Sequence, residues 1–148
     1  KKPKKSYYRN KLDKKFSEIV RSRGRCEFCG LANIRLEAAH IMSRRYVCIR
    51  WDLRNALCLC SSCHFKAHAQ PLWFAEQIQP AKAKYLKEKV RNLKVVTVQD
   101  MQKIYADLTI EYKEMIEFWN SLPFTAQLII IGIMAFGIII SIVDVLDI

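Results

Sequence analysis

The chain has 148 residues and a formal charge of +11, with half of its residues hydrophobic and six cysteines. That length suits one compact domain with an accessory segment. The charge is uneven: residues 1–94 carry 23 Lys/Arg against 7 Asp/Glu, and residues 95–148 carry 2 against 7. A front this basic favours a polyanionic partner, either nucleic acid or an acidic membrane surface, and says nothing about fold.

In chain order, "KKPKKSYYRNKLDKK" opens the sequence. It is expected to be a mobile basic arm (residues 1–11) with sequence-independent affinity for phosphates. Its lysine run has no apolar core and does not read as a secretory signal. Leu12, Phe16, Ile19 and Val20 recur at helical spacing and predict a helix over 11–22, stopped at Gly24. "CEFCG" is a cysteine turn. "IRLEAAHIM" (34–42) and "YVCIRW" (46–51) read as the two extended pieces of a hairpin. After a second cysteine turn, "HFKAHAQ" is helical up to Pro71. Short helices are predicted over 72–78 and 81–91. Thr97 and Asp100 have capping-box spacing ahead of a long helix to about Trp119. Its stripe of Met101, Ile104, Tyr105, Leu108, Tyr112, Met115 and Trp119 is expected to pack on the domain. Pro123 ends it, and an uncharged run, Leu128–Val143, follows.

Cys26/Cys29 and Cys60/Cys63 are two C-x-x-C turns, expected to lie in a reducing compartment because the basic opening does not read as a secretory signal. That pattern favours thiolate metal ligands over disulfides, and four thiolates satisfy a structural, tetrahedral Zn²⁺. Cys48 and Cys58 are expected to be small core residues rather than ligands, and Trp51 a core aromatic. His64 directly follows the last of these cysteines, and His68 is four residues on, one helical turn away on the same face. His40 ends a predicted strand and Asn55 follows fifteen residues later. The order His, Asn, His on strand, loop and helix suggests a one-metal nuclease. There a divalent ion held by imidazole or carboxylate neutralises the scissile phosphate, and a separate neutral histidine takes a proton from water.

The fragments "CEFC", "EAAHIMSR" and "IRWDLRNALCLCSSCHFKAH" resemble the HNH endonucleases, a ββα-metal fold supported by a zinc ribbon. The likeness is greatest to small phage-type members, including the NinG-like recombination group. It spans residues 12–79, the expected nuclease core, and continues loosely into a helical extension over 80–122. The resemblance implies an α+β fold and metal-dependent hydrolysis of DNA phosphodiester bonds. It implies His40 as general base, Asn55 as the residue positioning the base loop, His64 and His68 as ligands of a catalytic ion (Mg²⁺, Mn²⁺, Ni²⁺ or Zn²⁺), and Arg44 as a phosphate contact.

The chain departs from the pattern at Ala39, where many members place a metal-binding Asp or His. Glu37 is not expected to share the face of position 39; a bulge, or recruitment of Asp52, would have to supply the missing acid. The alternatives are a catalytically degenerate zinc module that only binds DNA, and a membrane-anchored small phage protein with a vestigial HNH part. The apolar tail, within residues 123–148, is expected to anchor the chain in a membrane through residues 126–148. Lysines on its N-terminal side would keep the nuclease part cytoplasmic.

Overall fold

The computed structural model describes residues 3–78, 80–91 and 95–135. The chain divides into two compact units between Ile110 and Glu111. The first is built on helix α1 (Lys5–Arg21), strand β1 (Leu36–His40), strand β2 (Ala56–Cys60) and helices α2 (Ser61–Ala69), α3 (Pro71–Ile78) and α4 (Pro80–Arg91). Helix α5 (Val98–Ser121) runs across the boundary, and α6 (Phe124–Ala135) belongs to the second unit. The fold is a mixture of helix and sheet with four cysteines clustered in space, which agrees with the α+β expectation.

The sheet is small and antiparallel, pairing Leu36 with Cys60 through to His40 with Ala56, one residue against one. Every residue of β2 is buried. Successive strand side chains face opposite ways, so β2 must be covered on both sides. One face presents Leu57 and Leu59, which join Ala39, Ile49, Ala67, Phe74, Ala83 and Leu86 in the main core. The other turns toward α1, whose Leu12, Phe16, Ile19 and Val20 are all buried, the spacing read from the sequence.

Three expectations change. The basic stretch read as an arm is helical from Lys5, continuous with the predicted helix. Lys5 Nζ donates to Val96 O at 2.7 Å, Gln102 Nε2 donates to Tyr8 Oη at 2.8 Å, and Lys11 lies over the rings of Tyr7 and Tyr105. These distant partners fix a segment whose own sequence has no apolar period. The second strand is not residues 46–51: Val47–Ile49 is a 3-10 turn, and β2 is the following "ALCLC". The apolar stripe of α5 is buried only at Met101 and Leu108; Met115 is exposed.

The capping box forms as read: Thr97 Oγ1 accepts from Asp100 N at 3.1 Å, and Asp100 accepts from Thr97 N and Oγ1 at 2.7 Å. In the second unit, Gln127 Nε2 donates to Trp119 O and Leu122 O, closing the turn at Pro123. Phe124, Leu128 and Ile129 are exposed on α6. Among the described residues no helix is long and apolar enough to cross a membrane. The second half of the expected anchor, residues 136–148, lies outside them.

Candidate functional site

The first cysteine turn is framed by an antiparallel bridge between Arg25 and Ala32. Cys26 N donates to Leu31 O and Gly30 N to Cys26 O, both at 2.9 Å. Gly30 adopts φ +73°, a left-handed conformation that side chains disfavour. Glu27 then ties the turn to β2: its N–H donates to Cys58 O at 2.8 Å, and its carboxylate accepts from Cys58 N. Arg23 reinforces the tie, pairing with Glu27 at 2.9 Å and donating to Ala56 O and Leu53 O. The second turn is the junction of β2 and α2. Cys60 caps α2, its sulfur accepting from Cys63 N at 3.5 Å.

These frames bring Cys26, Cys29, Cys60 and Cys63 together with their sulfurs all within 4.8 Å of one another. Cys29 Sγ and Cys60 Sγ are 3.8 Å apart. A disulfide needs about 2.05 Å. Zn–S bonds of about 2.3 Å in a tetrahedron give sulfur–sulfur edges of about 3.8 Å. The four cysteines are therefore disposed to hold a structural metal such as zinc. One thiol of the four is activated while two are not: burial and the neighbouring sulfurs raise Cys63, and at Cys29 the Leu31 N–H lowers the thiol but burial and the Cys26 sulfur beside it outweigh this. Burial pushes the Cys26 thiol up, but backbone N–H groups of Cys29, Cys60 and Phe28 outweigh it and bring it down to about 7. Cys58, by contrast, is pushed up to about 12 by burial, and Glu27 adds to this; it is a core thiol, as its sequence position suggested. Cys48 is half-buried and Trp51 is buried.

The sequence-derived histidines fall into two clusters. His64 is half-buried and His68 exposed; their rings stack at 4.6 Å. His64 Nδ1 lies 2.6 Å from Glu37 Oε2, and Ser61 Oγ donates to Glu37 Oε1 at 3.0 Å. The hydrogen bond from His64, then that from Ser61, hold the Glu37 carboxyl below its ordinary value. Glu37 was not expected here. β1 has no bulge, and residues 37 and 39 are two apart, so they share a face after all. The carboxylate accepts a hydrogen bond from His64 Nδ1–H, which makes Nε2 the nitrogen that could hold a metal, the carboxylate–histidine arrangement common behind metal-bound imidazoles. Asp52 is committed elsewhere: it caps the turn Leu53–Asn55, pairs with Arg54 and accepts from Tyr85 Oη at 2.8 Å. Among the described residues, the four cysteines are the one group of three or more potential ligands that converge closely.

His40 points the other way from β1, as its odd separation from Glu37 requires. It stacks on Phe16 of α1 at 4.9 Å, and its Nε2 lies 2.9 Å from Arg50 O. Burial lowers its pKa below 6.5, with Arg44 and Arg50 lowering it further; the Arg50 carbonyl and Asp13 act against this. His40 is therefore neutral at neutral pH. A carbonyl can only accept, so Nε2 carries the proton and Nδ1 holds the basic lone pair. Asn55 is completely buried. Its Oδ1 accepts from Met42 N at 2.7 Å, and its Nδ2 donates to Met42 O at 3.2 Å and Ile49 O at 3.0 Å. It thus pins both ends of the loop after His40. Arg44 is exposed, and its carbonyl accepts from Arg50 Nη1 at 3.1 Å.

Asp13 of α1 went unread in the sequence. It takes two hydrogen bonds from Arg50, at 2.9 and 2.7 Å, and one from Trp51 Nε1 at 2.8 Å. Burial raises its pKa, but Arg50 and Trp51 outweigh burial and hold it below 3.8. A depressed carboxyl stabilises the fold above its unfolded value and loses that contribution as pH falls through the folded value. Thermal melts of Asp13→Asn are therefore expected to show a shallower loss of Tm below pH 4 than the parent.

No protein-family model matches the chain, and neither the curated proteins nor the solved structures contain a significant match.

Proposed function

We infer that the chain is a metal-dependent endonuclease of the HNH type, acting on DNA. The observation that carries this reading is the pinned histidine. A fully buried Asn55 holds the loop after His40 at both ends, and His40 offers Nδ1 while Nε2 is spent on Arg50 O. A core histidine also needs an acceptor for its N–H, so it is the pinning of the following loop by Asn55 that sets this one apart. The β–β–α order, with the thiolate cluster bracing the β2–α2 junction, supports the same reading.

In this proposal His40 Nδ1 takes a proton from the attacking water; neutral imidazole is the form that can do so. Arg44, exposed beyond the strand end, meets a phosphate oxygen. His64 Nε2 and His68 would hold a divalent ion (Mg²⁺, Mn²⁺, Ni²⁺ or Zn²⁺), with Glu37 fixing the His64 ring. When bound, such an ion neutralises the scissile phosphate and stabilises the leaving oxygen. The basic residues of α1 add phosphate affinity that falls steeply with salt. The tail, residues 126–148, would hold the nuclease part at the cytoplasmic face of a membrane, a reading supported by the uncharged run and the lysines preceding it.

A second reading has its own observation. Position 39 is Ala, and His40 leaves β1 on the face opposite Glu37, the residue that meets His64 of α2. That separation favours a zinc module that binds DNA without cutting it. Plasmid nicking by the full chain in Mg²⁺, Mn²⁺ and Ni²⁺ separates the two. The nuclease reading expects nicking, reduced about 10²–10⁴-fold by His40→Ala with DNA affinity kept. Equal rates in parent and variant, or DNA binding without nicking by either, would overturn it.

A further inference from the structure

We propose that α1, which lies outside the ββα unit, is the positioning device for His40: Asp13 clamps Arg50 so that its carbonyl fixes the imidazole as the Nε2–H form, with Nδ1 free. The proposal rests on the reading of His40 as a base, and its test is chosen to judge the two separately.

The geometry forms one continuous chain. Asp13 and Phe16 are three residues apart on α1 and so share a helix face. Phe16 is buried and stacks on the His40 ring, with an interplanar angle of 26°. Asp13 binds the next element. Its two oxygens take Arg50 Nε and Nη2 as a fork, and Oδ1 also takes Trp51 Nε1. The carbonyl of that same Arg50 stands 2.9 Å from His40 Nε2. One helix face thus sets the ring plane through Phe16 and the proton position through Asp13.

The clamp is built better than a surface ion pair. The Arg50 side chain is only 15% exposed and Asp13 32%. Bidentate guanidinium–carboxylate pairing adds directional control that a single contact lacks. The indole N–H of a buried Trp51 fixes the carboxylate as well. Arg50 Nη1 reaches back to Arg44 O at 3.1 Å, so the clamp closes the loop on itself. The charged groups facing His40 are then Asp13, Arg44 and Arg50. If Asp13 were merely a helix-surface acid, losing its charge would leave the tautomer of a histidine two contacts away unchanged. If it acts through Arg50, the carbonyl drifts and the two neutral tautomers mix.

The decisive measurement is the tautomer of His40 in the full chain, read from two-bond ¹H–¹⁵N correlations of ¹⁵N-histidine-labelled protein, with His40→Ala assigning the signal. The parent is expected to show the Nε2–H form alone at neutral pH. Asp13→Asn is expected to show both forms. Nicking should fall roughly tenfold in kcat with KM for plasmid unchanged, and Asp13→Glu should restore both readouts in part. Thiolate-to-cobalt absorption confirms that each variant keeps its metal cluster. Should Asp13→Asn lose that absorption, Arg50→Lys decides instead: it keeps the carbonyl and the charge but lacks the fork. A single Nε2–H form retained in these variants overturns the clamp. If the parent cuts no DNA, the nuclease reading falls, while the tautomer result still judges the clamp.

Discussion

Cys60→Ser is expected to unfold the sheet, both cysteine turns and α2 together, and to leave the chain without bound zinc. Cys60 holds three positions at once: it ends β2, caps α2 and brings its sulfur to 3.8 Å from Cys29. The sheet it belongs to has two strands of five residues each, and two-stranded sheets are marginal unless something else holds them. Structural zinc binding is worth about 10–16 kcal/mol in small zinc peptides, which matches or exceeds the whole stability of about 5–15 kcal/mol typical of a domain. A serine hydroxyl is a poor replacement for a thiolate, and the remaining three thiolates would face one another without a cation. Zinc per chain and far-UV circular dichroism check this, with Cys58→Ser as the control. Cys58 is equally buried but lies outside the cluster, so its variant should keep one zinc. A Cys60→Ser chain that retained zinc and an unchanged spectrum would show that the cluster does not hold this fold together.

The parts legible in the sequence share a physical character: each depends on chemistry that a short window contains. Paired C-x-x-C turns state their ligand type and count, the Thr97–Asp100 spacing states a cap, and Leu12, Phe16, Ile19 and Val20 state a buried helix face. The misread parts depend on partners far along the chain. "YVCIRW" has strand-forming residues, yet it is bent into a 3-10 turn whose Ile49 O accepts from Asn55 Nδ2 and whose following Arg50 is held by Asp13, 37 residues earlier. "ALCLC" gave little strand signal because a strand buried on both faces shows no alternation. The first turns of α1 are tied to residues more than ninety positions away. Glu37 was recoverable from the sequence: two residues from position 39 on a regular strand, it had to share that face.

Asn55→Leu should cost about 3 kcal/mol or more of stability although the two side chains are close in size. Asn55 is the one described polar or charged residue that is buried, at 0% exposure, and it satisfies three backbone groups. Leucine leaves Met42 N–H, Met42 O and Ile49 O facing apolar atoms. Each unsatisfied buried group costs roughly 1–3 kcal/mol, and relaxation of the loop toward water recovers part of the sum. Asn55→Asp separates the contributions. It keeps the acceptor for Met42 N–H, but sets a carboxylate against two carbonyls, so it should be no more stable than the leucine variant at neutral pH and should recover as acid protonates it. Urea midpoints at constant slope measure both. The consequence reaches function through geometry, because the loop between Met42 and Ile49 carries Arg44 and leads into the Arg50 carbonyl that faces His40. Loop release should therefore lower cleavage more than the loss of folded fraction accounts for. A leucine variant within about 0.5 kcal/mol of the parent, the range of an ordinary surface change, would mean that the carbonyls find other partners and that Asn55 does not set the loop.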